Sequence, residues 1–473
     1  MQLSDLSALD AAAAVRRREV SPVELVEDSL DRAERLGPTV GAFVTITADT
    51  ARAQARRAER AVLDAADPAA LPPLLGVPTA IKDLNMVAGV PTAFGSRSML
   101  GFVPDYDDHV VTLLRDAGTI SIGKTATPEF GLPCYTETDI GPPARTPWDL
   151  ERLAGGSSGG AGAAVAARIV PFAQGSDGGG SIRSPASACG LVGVKTARGR
   201  VSKGPADLDS TRLTVLGPLA RTVRDAATFL DAVAVPMLGD PDPLPRLPAG
   251  ESFLGYCDRS PGRLRVGRFL DSPMPGQVDE PVRAAWEQAS ALLAGLGHEV
   301  VDTVAPLPVE AVSLFEVVWS VPAASIPVPD EELLRPLTRY LRERGRAATA
   351  PQFASAQAQL NVLARRAIAA TAAFDVLLCP SVAMLPRPLG WFTRDDGPAA
   401  DFERQKQYTP YTAMFNLTGQ PAVSLPLYWS EDGLPIGMML VGRPAAEPLL
   451  FALAAQLEEA LPWAGRTPVL PTV

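Results

Sequence analysis

Histidine is scarce in this sequence, which has only His109 and His298 among its 473 residues. So few imidazoles argue against a structural zinc site. The four cysteines show neither CxxC pairing nor metal-ligand spacing, so we expect free thiols, no bound metal and no other cofactor. These cysteines are Cys134, Cys189, Cys257 and Cys379.

Long apolar runs and basic blocks are also missing from the chain. The longest apolar stretches are too short to cross a membrane as a helix, and the first residues lack the charged-then-apolar order of a signal peptide. The net charge is −10, from 43 basic and 53 acidic residues, and neighbouring arginines such as Arg16 to Arg18 fit solvated helix faces. We therefore expect a cytoplasmic protein that binds neither nucleic acid nor membranes.

Strand and helix patterns alternate along the chain after a helical start. Residues 1–65 are predicted to be an N-terminal helical segment, in which Ser21 and Glu24 have the spacing of a capping box. Short apolar runs such as 76–81 then alternate with helical periods such as 282–296. This rhythm predicts an α/β fold, in which helices on both faces cover a large mixed, mostly parallel central sheet.

Other segments indicate how the chain is organised into one domain. Residues 422–427 and 436–441 predict a hairpin at one edge of the sheet. Residues 236–262 are rich in proline and are predicted to be a surface loop within a single domain, 1–473, with an interdomain linker as the alternative. The polar segment 390–407 is predicted to be a loop and is a candidate pocket wall or lid.

Glycine is concentrated in two short turns on either side of an alanine-rich helix. The first turn is GGSSGG at 155–160, and the second is GSDGGGS at 175–181. Two such turns around one helix do not fit a flexible linker. Glycine permits close backbone approach, and successive N–H groups in these turns can form a nest that binds an anion. A serine at the end of the nest, Ser181, is well placed to attack a carbonyl whose oxygen the nest then holds.

Two other interpretations of these turns compete with this one. The first turn also matches the G-x-S-x-G nucleophile elbow, which would make Ser157 the nucleophile and would require a histidine later in the chain. Only His298 lies downstream, between a helix and a strand, where a surface or capping role explains it better. A phosphate-binding loop would need a Gly-Lys-Ser/Thr sequence, and none follows either turn.

Lysine can also activate a serine, provided that burial leaves its amine neutral. Lys82 ends the apolar run that begins at Gly76. Strand alternation sends Lys82 and Asp83 to opposite faces, so Asp83 need not hold Lys82 in its charged form. A lysine that extends to water is the alternative, and periodicity alone does not decide between the two.

These segments together resemble the amidase signature family over nearly the whole chain. The matching segments are 76–78, 82–83, 155–160, 177–186, 189–195, 199–202, 416–422 and 433–437. The resemblance implies the family's α/β fold and a serine hydrolase that cleaves C–N bonds through a Ser–cis-Ser–Lys triad. It makes Ser181 the nucleophile, Ser157 the bridging serine after a cis peptide bond, and Lys82 the base.

The same resemblance assigns roles around the nucleophile. It implies an oxyanion hole built from backbone N–H groups, namely those of Gly178, Gly179, Gly180 and Ser181. Supporting roles fall to Ser158, Asp177 and Arg183, and we expect Arg183 to pair with Asp177 and brace the turn.

Departures from the family pattern leave every member of the triad in place. Residues 195–197 are Lys-Thr-Ala where Lys-Pro-Thr is usual, and residues 141–148 vary on Gly-Pro-Thr-Arg-Asn-Pro-Trp. Gly178 stands where a larger residue is common, which would loosen or widen the oxyanion loop.

The family acts on several kinds of substrate, including aliphatic and aryl amides, cyclic nylon-type amides and carbamates. One branch, the A-type subunit of the glutamine amidotransferases, supplies ammonia within a tRNA-dependent complex. Residues 263–269 and the chain from 416 onward look more like the nylon-oligomer and aryl-amide hydrolases, which favours small, fairly apolar amides. Carbamates are the alternative, and family precedent allows a homodimer.

The candidate pocket residues are apolar or aromatic side chains in or near predicted loops, and core packing is the alternative for each. They are Met86, Cys134, Tyr135, Phe315, Trp319, Tyr411 and Phe415.

Overall fold

Eleven strands and fifteen α-helices form along the part of the chain that the computed structural model describes, residues 2–207, 209–274, 276–394 and 396–470. The strands are β1 Phe43–Ile46, β2 Pro78–Lys82, β3 Ile120–Thr125, β4 Phe172–Asp177, β5 Val192–Lys195, β6 Val215–Ala220, β7 Arg265–Arg268, β8 Glu299–Asp302, β9 Val376–Pro380, β10 Ala422–Trp429 and β11 Pro435–Gly442. The helices are α1 Ala8–Arg16, α2 Pro22–Val40, α3 Ala48–Asp64, α4 His109–Asp116, α5 Gly159–Ala166, α6 Arg183–Cys189, α7 Val223–Val233, α8 Phe253–Tyr256, α9 Glu280–Gly295, α10 Glu310–Ser325, α11 Pro336–Ala347, α12 Ala350–Ala370, α13 Gly397–Tyr408, α14 Ala413–Thr418 and α15 Glu447–Ala460.

A mixed sheet of eight strands, in the order β4-β6-β5-β10-β11-β9-β7-β8, forms the centre of the fold. Alternate residues of its strands enter different hydrophobic cores. Leu378 and Leu440 pack into one core, and their neighbours Leu377 and Met439 pack into another. Since successive side chains of a strand point to opposite faces, both faces of the sheet are covered. The predicted α/β class and mixed sheet are therefore confirmed.

The predominance of parallel pairing is the part of this prediction that the structure corrects. Within the described residues, β7 pairs in parallel with β8 and β9, and the other five neighbouring pairs of the large sheet are antiparallel. The strand–helix–strand rhythm resembles parallel βαβ units. In the structure, however, β6 lies between β4 and β5, so these consecutive strands are not neighbours. The β10–β11 hairpin likewise lies inside the sheet rather than at its edge, because β5 and β9 flank it.

The segments predicted from composition differ from the structure in three places. The first 65 residues contain helices and also strand β1, which pairs with β3 in a separate three-stranded sheet. The capping box at Ser21 and Glu24 forms as predicted. The proline-rich segment 236–262 contains the short helix α8, and the segment 390–407, predicted to be a loop, ends in helix α13. Among the described residues, no helix is both long enough and apolar enough to cross a membrane.

Candidate active site

The two glycine turns lie side by side and are joined by a backbone hydrogen bond. The N–H of Ser158, just before α5, donates to the carbonyl of Ser181 at 3.1 Å. The peptide bond between Gly156 and Ser157 is cis, as the family resemblance implies. A methyl group on Gly156 would lie 2.6 Å from the backbone nitrogen of Tyr135, so only glycine fits there.

Lys82 meets the first turn from the end of strand β2. Its side chain is fully buried, and Nζ donates to Oγ of Ser157 at 2.7 Å and to Oγ of Ser176 at 3.0 Å. Burial lowers the pKa of Lys82 to about 7, although the Asp177 carboxylate acts in the opposite direction. Near neutral pH the amine is therefore divided between its charged and neutral forms.

Ser176 determines how a neutral Lys82 amine is oriented. A neutral amine has two N–H groups and one lone pair. The hydroxyl and the carbonyl of Ser176 lie 3.0 and 3.4 Å from Nζ, and both can accept an N–H. With the two N–H groups directed to Ser176, the lone pair of Lys82 faces the hydroxyl of Ser157. The arrangement can therefore take a proton from Ser157.

Strand alternation separates Lys82 from the acid that follows it, as predicted. Asp83 lies on the other face of the chain, where Oδ1 is 3.1 Å from Nζ of the buried Lys124. Gln174 fixes the backbone of Lys82, because its Oε1 accepts the Lys82 N–H at 3.0 Å. Gln174 and Ser176 are two residues apart in β4, so the same face of that strand holds both the backbone and the side chain of Lys82.

A buried ion pair shapes the second turn. Arg183 donates to both carboxylate oxygens of Asp177, at 2.8 and 3.0 Å, as the expected bracing pair would. Asn416 accepts from Arg183 at 2.6 Å and donates to Asp177 at 2.9 Å. Burial alone would raise the pKa of Asp177, but Arg183, Lys195 and Asn416 hold it well below its ordinary range. Asp177 therefore stays ionised beneath the turn.

The same carboxylate changes the composition of the expected oxyanion hole. The family resemblance implies that Gly180 contributes its N–H, but this group donates to Oδ1 of Asp177 at 2.8 Å and is not free for an oxyanion. Gly180 has φ of 135°, and a methyl group there would lie 2.5 Å from Oγ1 of Thr412. No hydrogen bond among the described residues takes the N–H of Gly178, Gly179 or Ser181. These three groups can hold an oxyanion.

An apolar cavity of about 110 Å³ opens directly beside the nucleophile candidate. Its lining includes Ser181, Gly179 and Gly156 from the two turns. Helix α10 contributes Phe315 and Trp319, whose rings stack with centroids 5.5 Å apart. Helix α13 and its neighbours contribute further walls, including Phe402, Gln405, Lys406, Thr409, Ala413 and Met414. The cavity suits a small, largely apolar molecule.

Three of the seven predicted pocket residues line this cavity, namely Cys134, Phe315 and Trp319. The other four lie outside its lining. Tyr135 stacks on Phe392 and donates its hydroxyl to Asp401, and Tyr411 donates to the carbonyl of Leu270. Phe415 is buried in a hydrophobic core, and Met86 donates its backbone N–H to Asp108. Aromatic character alone did not separate pocket walls from core.

Both histidines lie outside the lining of this cavity. Nδ1 of His298 accepts the N–H of Leu264 at 3.2 Å, and its Nε2 pairs with Gln456 at 2.9 Å. His109 pairs with Ser202 at 2.8 Å. The geometry therefore gives no support to the G-x-S-x-G interpretation, which needs a histidine beside Ser157.

Several residues of the site were missed by the sequence analysis. Ser176 and Gln174 both precede the Gly-Gly-Gly run at 178–180, and alternation in β4 was a signal that they share a face. Asn416 lies in a matching family segment but received no role. Thr412, whose hydroxyl donates to the carbonyl of Gly179 at 2.5 Å, had no signal in the sequence.

Comparisons with known proteins identify the family of the chain. The Amidase family model matches residues 24–451. The 6-aminohexanoate-cyclic-dimer hydrolase of Paenarthrobacter ureafaciens is 35% identical over 483 residues, which cover 96% of this chain and 95% of that protein. The same enzyme of Pseudomonas sp. (strain NK87) is 34% identical over 483 residues, again with 96% and 95% covered.

A solved structure extends the similarity to the whole fold. The structure of 6-aminohexanoate cyclic dimer hydrolase complexed with substrate superimposes with a TM-score of 0.90 and 33% identity, and 99% of each chain is covered. The chain therefore belongs to the amidase signature family of hydrolases that cleave amide C–N bonds.

Proposed function

We propose that this chain is a serine hydrolase that cleaves small, fairly apolar amides through an acyl-enzyme on Ser181. The observation that carries the proposal is the 2.7 Å contact between Nζ of the buried Lys82 and Oγ of Ser157. Because burial favours the neutral amine, Lys82 can act as a base without a histidine. The hydrogen bond between Ser158 and Ser181 keeps the two serine turns together.

The acylation step moves one proton along the triad. Ser181 passes its proton to Ser157 as Ser157 passes its own to Nζ of Lys82, and Oγ of Ser181 bonds to the substrate carbonyl carbon. The N–H groups of Gly178, Gly179 and Ser181 hold the negative oxygen. The proton then returns through Ser157 to the leaving nitrogen as the C–N bond breaks. Water attacks the acyl-enzyme by the same route, which releases the acid and restores Ser181.

The small volume and apolar lining of the cavity favour small, apolar substrates over large or charged ones. The Phe315–Trp319 stack lies against the oxyanion loop, since a methyl group on Gly178 would be 3.4 Å from Trp319. Lys406, the cation in the lining, is paired with Glu316 and Glu403 at 2.5 Å each and is not free for a substrate anion.

We also place the enzyme in the cytoplasm, a proposal that its four free thiols support.

Purified protein without partners tests this proposal against its alternatives. We expect turnover of a p-nitroanilide and of a primary amide, with Ser181→Ala from the same preparation as the inactive control. Turnover of an aryl carbamate alone would make the chain a urethane hydrolase with the same triad. If activity appeared only with partner proteins and charged tRNA, the chain would be the A-type subunit of an amidotransferase, and the proposal would fail.

A further inference from the structure

One peptide unit in the middle of the second glycine turn is held at both ends. This trans unit joins Gly179 to Gly180, and its N–H group donates to Oδ1 of Asp177 at 2.8 Å. Its carbonyl, which belongs to Gly179, accepts from the hydroxyl of Thr412 at 2.5 Å. Because the N–H and C=O groups of a trans peptide point in opposite directions, the two hydrogen bonds fix the plane of this unit from opposite sides.

The fixed unit lies between two of the proposed oxyanion donors. The N–H of Gly179 belongs to the peptide unit before it, and the N–H of Ser181 belongs to the unit after it. Glycine by itself places little restraint on the backbone dihedral angles about which these units turn. Holding the central unit therefore restrains the directions in which both donors point.

Thr412 reaches this turn from a distant part of the chain, at the residue before helix α14. Its side chain is fully buried, and its own carbonyl accepts from Arg183 at 2.9 Å. Arg183 also holds Asp177, so the groups at both ends of the fixed unit are tied to one guanidinium. A methyl group on Gly180 would lie 2.9 Å from Cβ of Thr412, which shows how closely this side chain packs on the turn.

The hydroxyl of Thr412 acts on the turn and not on a substrate. Thr412 lies outside the cavity lining, although Pro410 and Ala413 near it belong to that lining. A second acceptor, the carbonyl of Thr409, lies 3.4 Å from Oγ1 of Thr412. A hydroxyl has one O–H group, and its much shorter distance to the Gly179 carbonyl favours the bond to the turn.

These contacts give Thr412 a positioning role. In the proposed function, on which this inference rests, the N–H groups of Gly179 and Ser181 hold the negative oxygen that forms during acylation. We propose that the Thr412 hydroxyl positions these two donors by fixing the Gly179–Gly180 peptide. Since donors aimed at developing charge act in the transition state, loss of the hydroxyl should lower kcat and leave KM unchanged.

Substitution of Thr412 separates this role from a merely structural one. Thr412→Val keeps the shape of the side chain but lacks the O–H group, and kcat for acetamide should fall about ten- to hundredfold. The KM should stay within about twofold of wild type, and Thr412→Ser, which keeps the hydroxyl, should retain kcat within about threefold. Thr228→Val is the matched control, because this buried hydroxyl also donates to a backbone carbonyl, that of Arg224, but in helix α7. Its kcat should equal that of wild type.

A tetrahedral inhibitor gives a second measurement that does not depend on turnover. Butylboronic acid can bond to Oγ of Ser181 and place a boron-bound oxygen among the proposed donors, whereas 1-pentanol can enter the cavity without forming such an adduct. Thr412→Val should weaken inhibition by butylboronic acid by the same factor as kcat, and inhibition by 1-pentanol should be unchanged. Thr412→Cys, whose S–H is a weak donor, should behave in the same way and replaces the valine variant if that variant does not fold.

Two results would overturn the positioning role while leaving the proposed function intact. One is a wild-type kcat in a folded variant that lacks the hydroxyl. The other is an equal loss of affinity for butylboronic acid and 1-pentanol, which would mean that Thr412 shapes the cavity rather than the donors. If wild-type protein neither cleaved acetamide nor bound butylboronic acid, the proposed function would fail and this inference with it.

Discussion

In the proposed mechanism, the buried amine of Lys82 is the base and takes the place that histidine has in other serine hydrolases. Burial lowers its pKa to about 7, while Asp177 opposes that shift. The acylation step needs the neutral form, which accepts the proton of Ser157. Charged Lys82 has no lone pair, so protonation stops the relay.

The pH dependence of acylation follows from that requirement. We expect kcat/KM for an amide to rise about tenfold per pH unit up to pH 7 and to level off above it. A stopped assay over a broad pH range would measure it. Lys82→Arg should be inactive throughout, because a guanidinium stays protonated. A wild-type profile that is flat between pH 5 and 8 would show that another group is the base.

At this scale the sequence identified the triad candidates but not their surroundings. The three candidates are Lys82, Ser157 and Ser181. Each lies in a segment that matches the family pattern, and such a match can be found from one sequence. Ser176 acquires its role only because strand β2 packs across β4, and the two strands belong to different sheets. The family resemblance assigned Gly180 to the oxyanion hole, and the glycine pattern could not show that Asp177 takes its N–H.

The turn between β4 and α6 is the element on which the proposed oxyanion hole depends. Asp177 ends the strand, Arg183 begins the helix, and their buried ion pair closes the turn. Asp177 also accepts the N–H groups of Gly180 and Ile182, at 2.8 and 3.1 Å. The positions of the free N–H groups of Gly178 and Gly179 therefore depend on one carboxylate.

Breaking the pair should affect stability and catalysis together. Asp177→Asn and Arg183→Met should each lower the free energy of unfolding by about 3–5 kcal/mol, because each leaves a buried partner uncompensated. Urea unfolding would measure this, and kcat should fall as the loop loosens. The double variant should lose less than the sum of the two single losses. Strictly additive losses would mean that the two side chains do not stabilise the turn as a pair.

Across the whole molecule, local patterns predicted the elements better than their arrangement. The α/β class follows from segments whose apolar residues alternate between the strand and the helix periodicity. Each periodicity can be recognised from the residues of the segment alone. The strand order places β6 between β4 and β5, a long-range pairing that no local period encodes. The same limit explains why the hairpin of β10 and β11 was expected at an edge and lies inside the sheet.

Substitution of His298 should lower the stability of the protein without lowering its activity. It links the start of β7, through Leu264, to helix α15, through Gln456. His298→Ala should lower the free energy of unfolding by about 1–3 kcal/mol, because buried hydrogen-bond partners are left unsatisfied. The kcat/KM at 25 °C should stay within about twofold of wild type, since the residue lies outside the cavity lining. A loss of activity in a well-folded variant would revive the Ser–His interpretation.

The central claim is that Ser181 carries the acyl group, and trapping the acyl-enzyme tests it most directly. The protein would be mixed with p-nitrophenyl acetate, quenched in acid within the burst, and mapped by peptide mass spectrometry. We predict one acetyl group on Ser181, no burst in Ser181→Ala, and a strongly slowed burst in Lys82→Ala. Acetyl on Ser157, or a full burst retained in Ser181→Ala, would contradict the account.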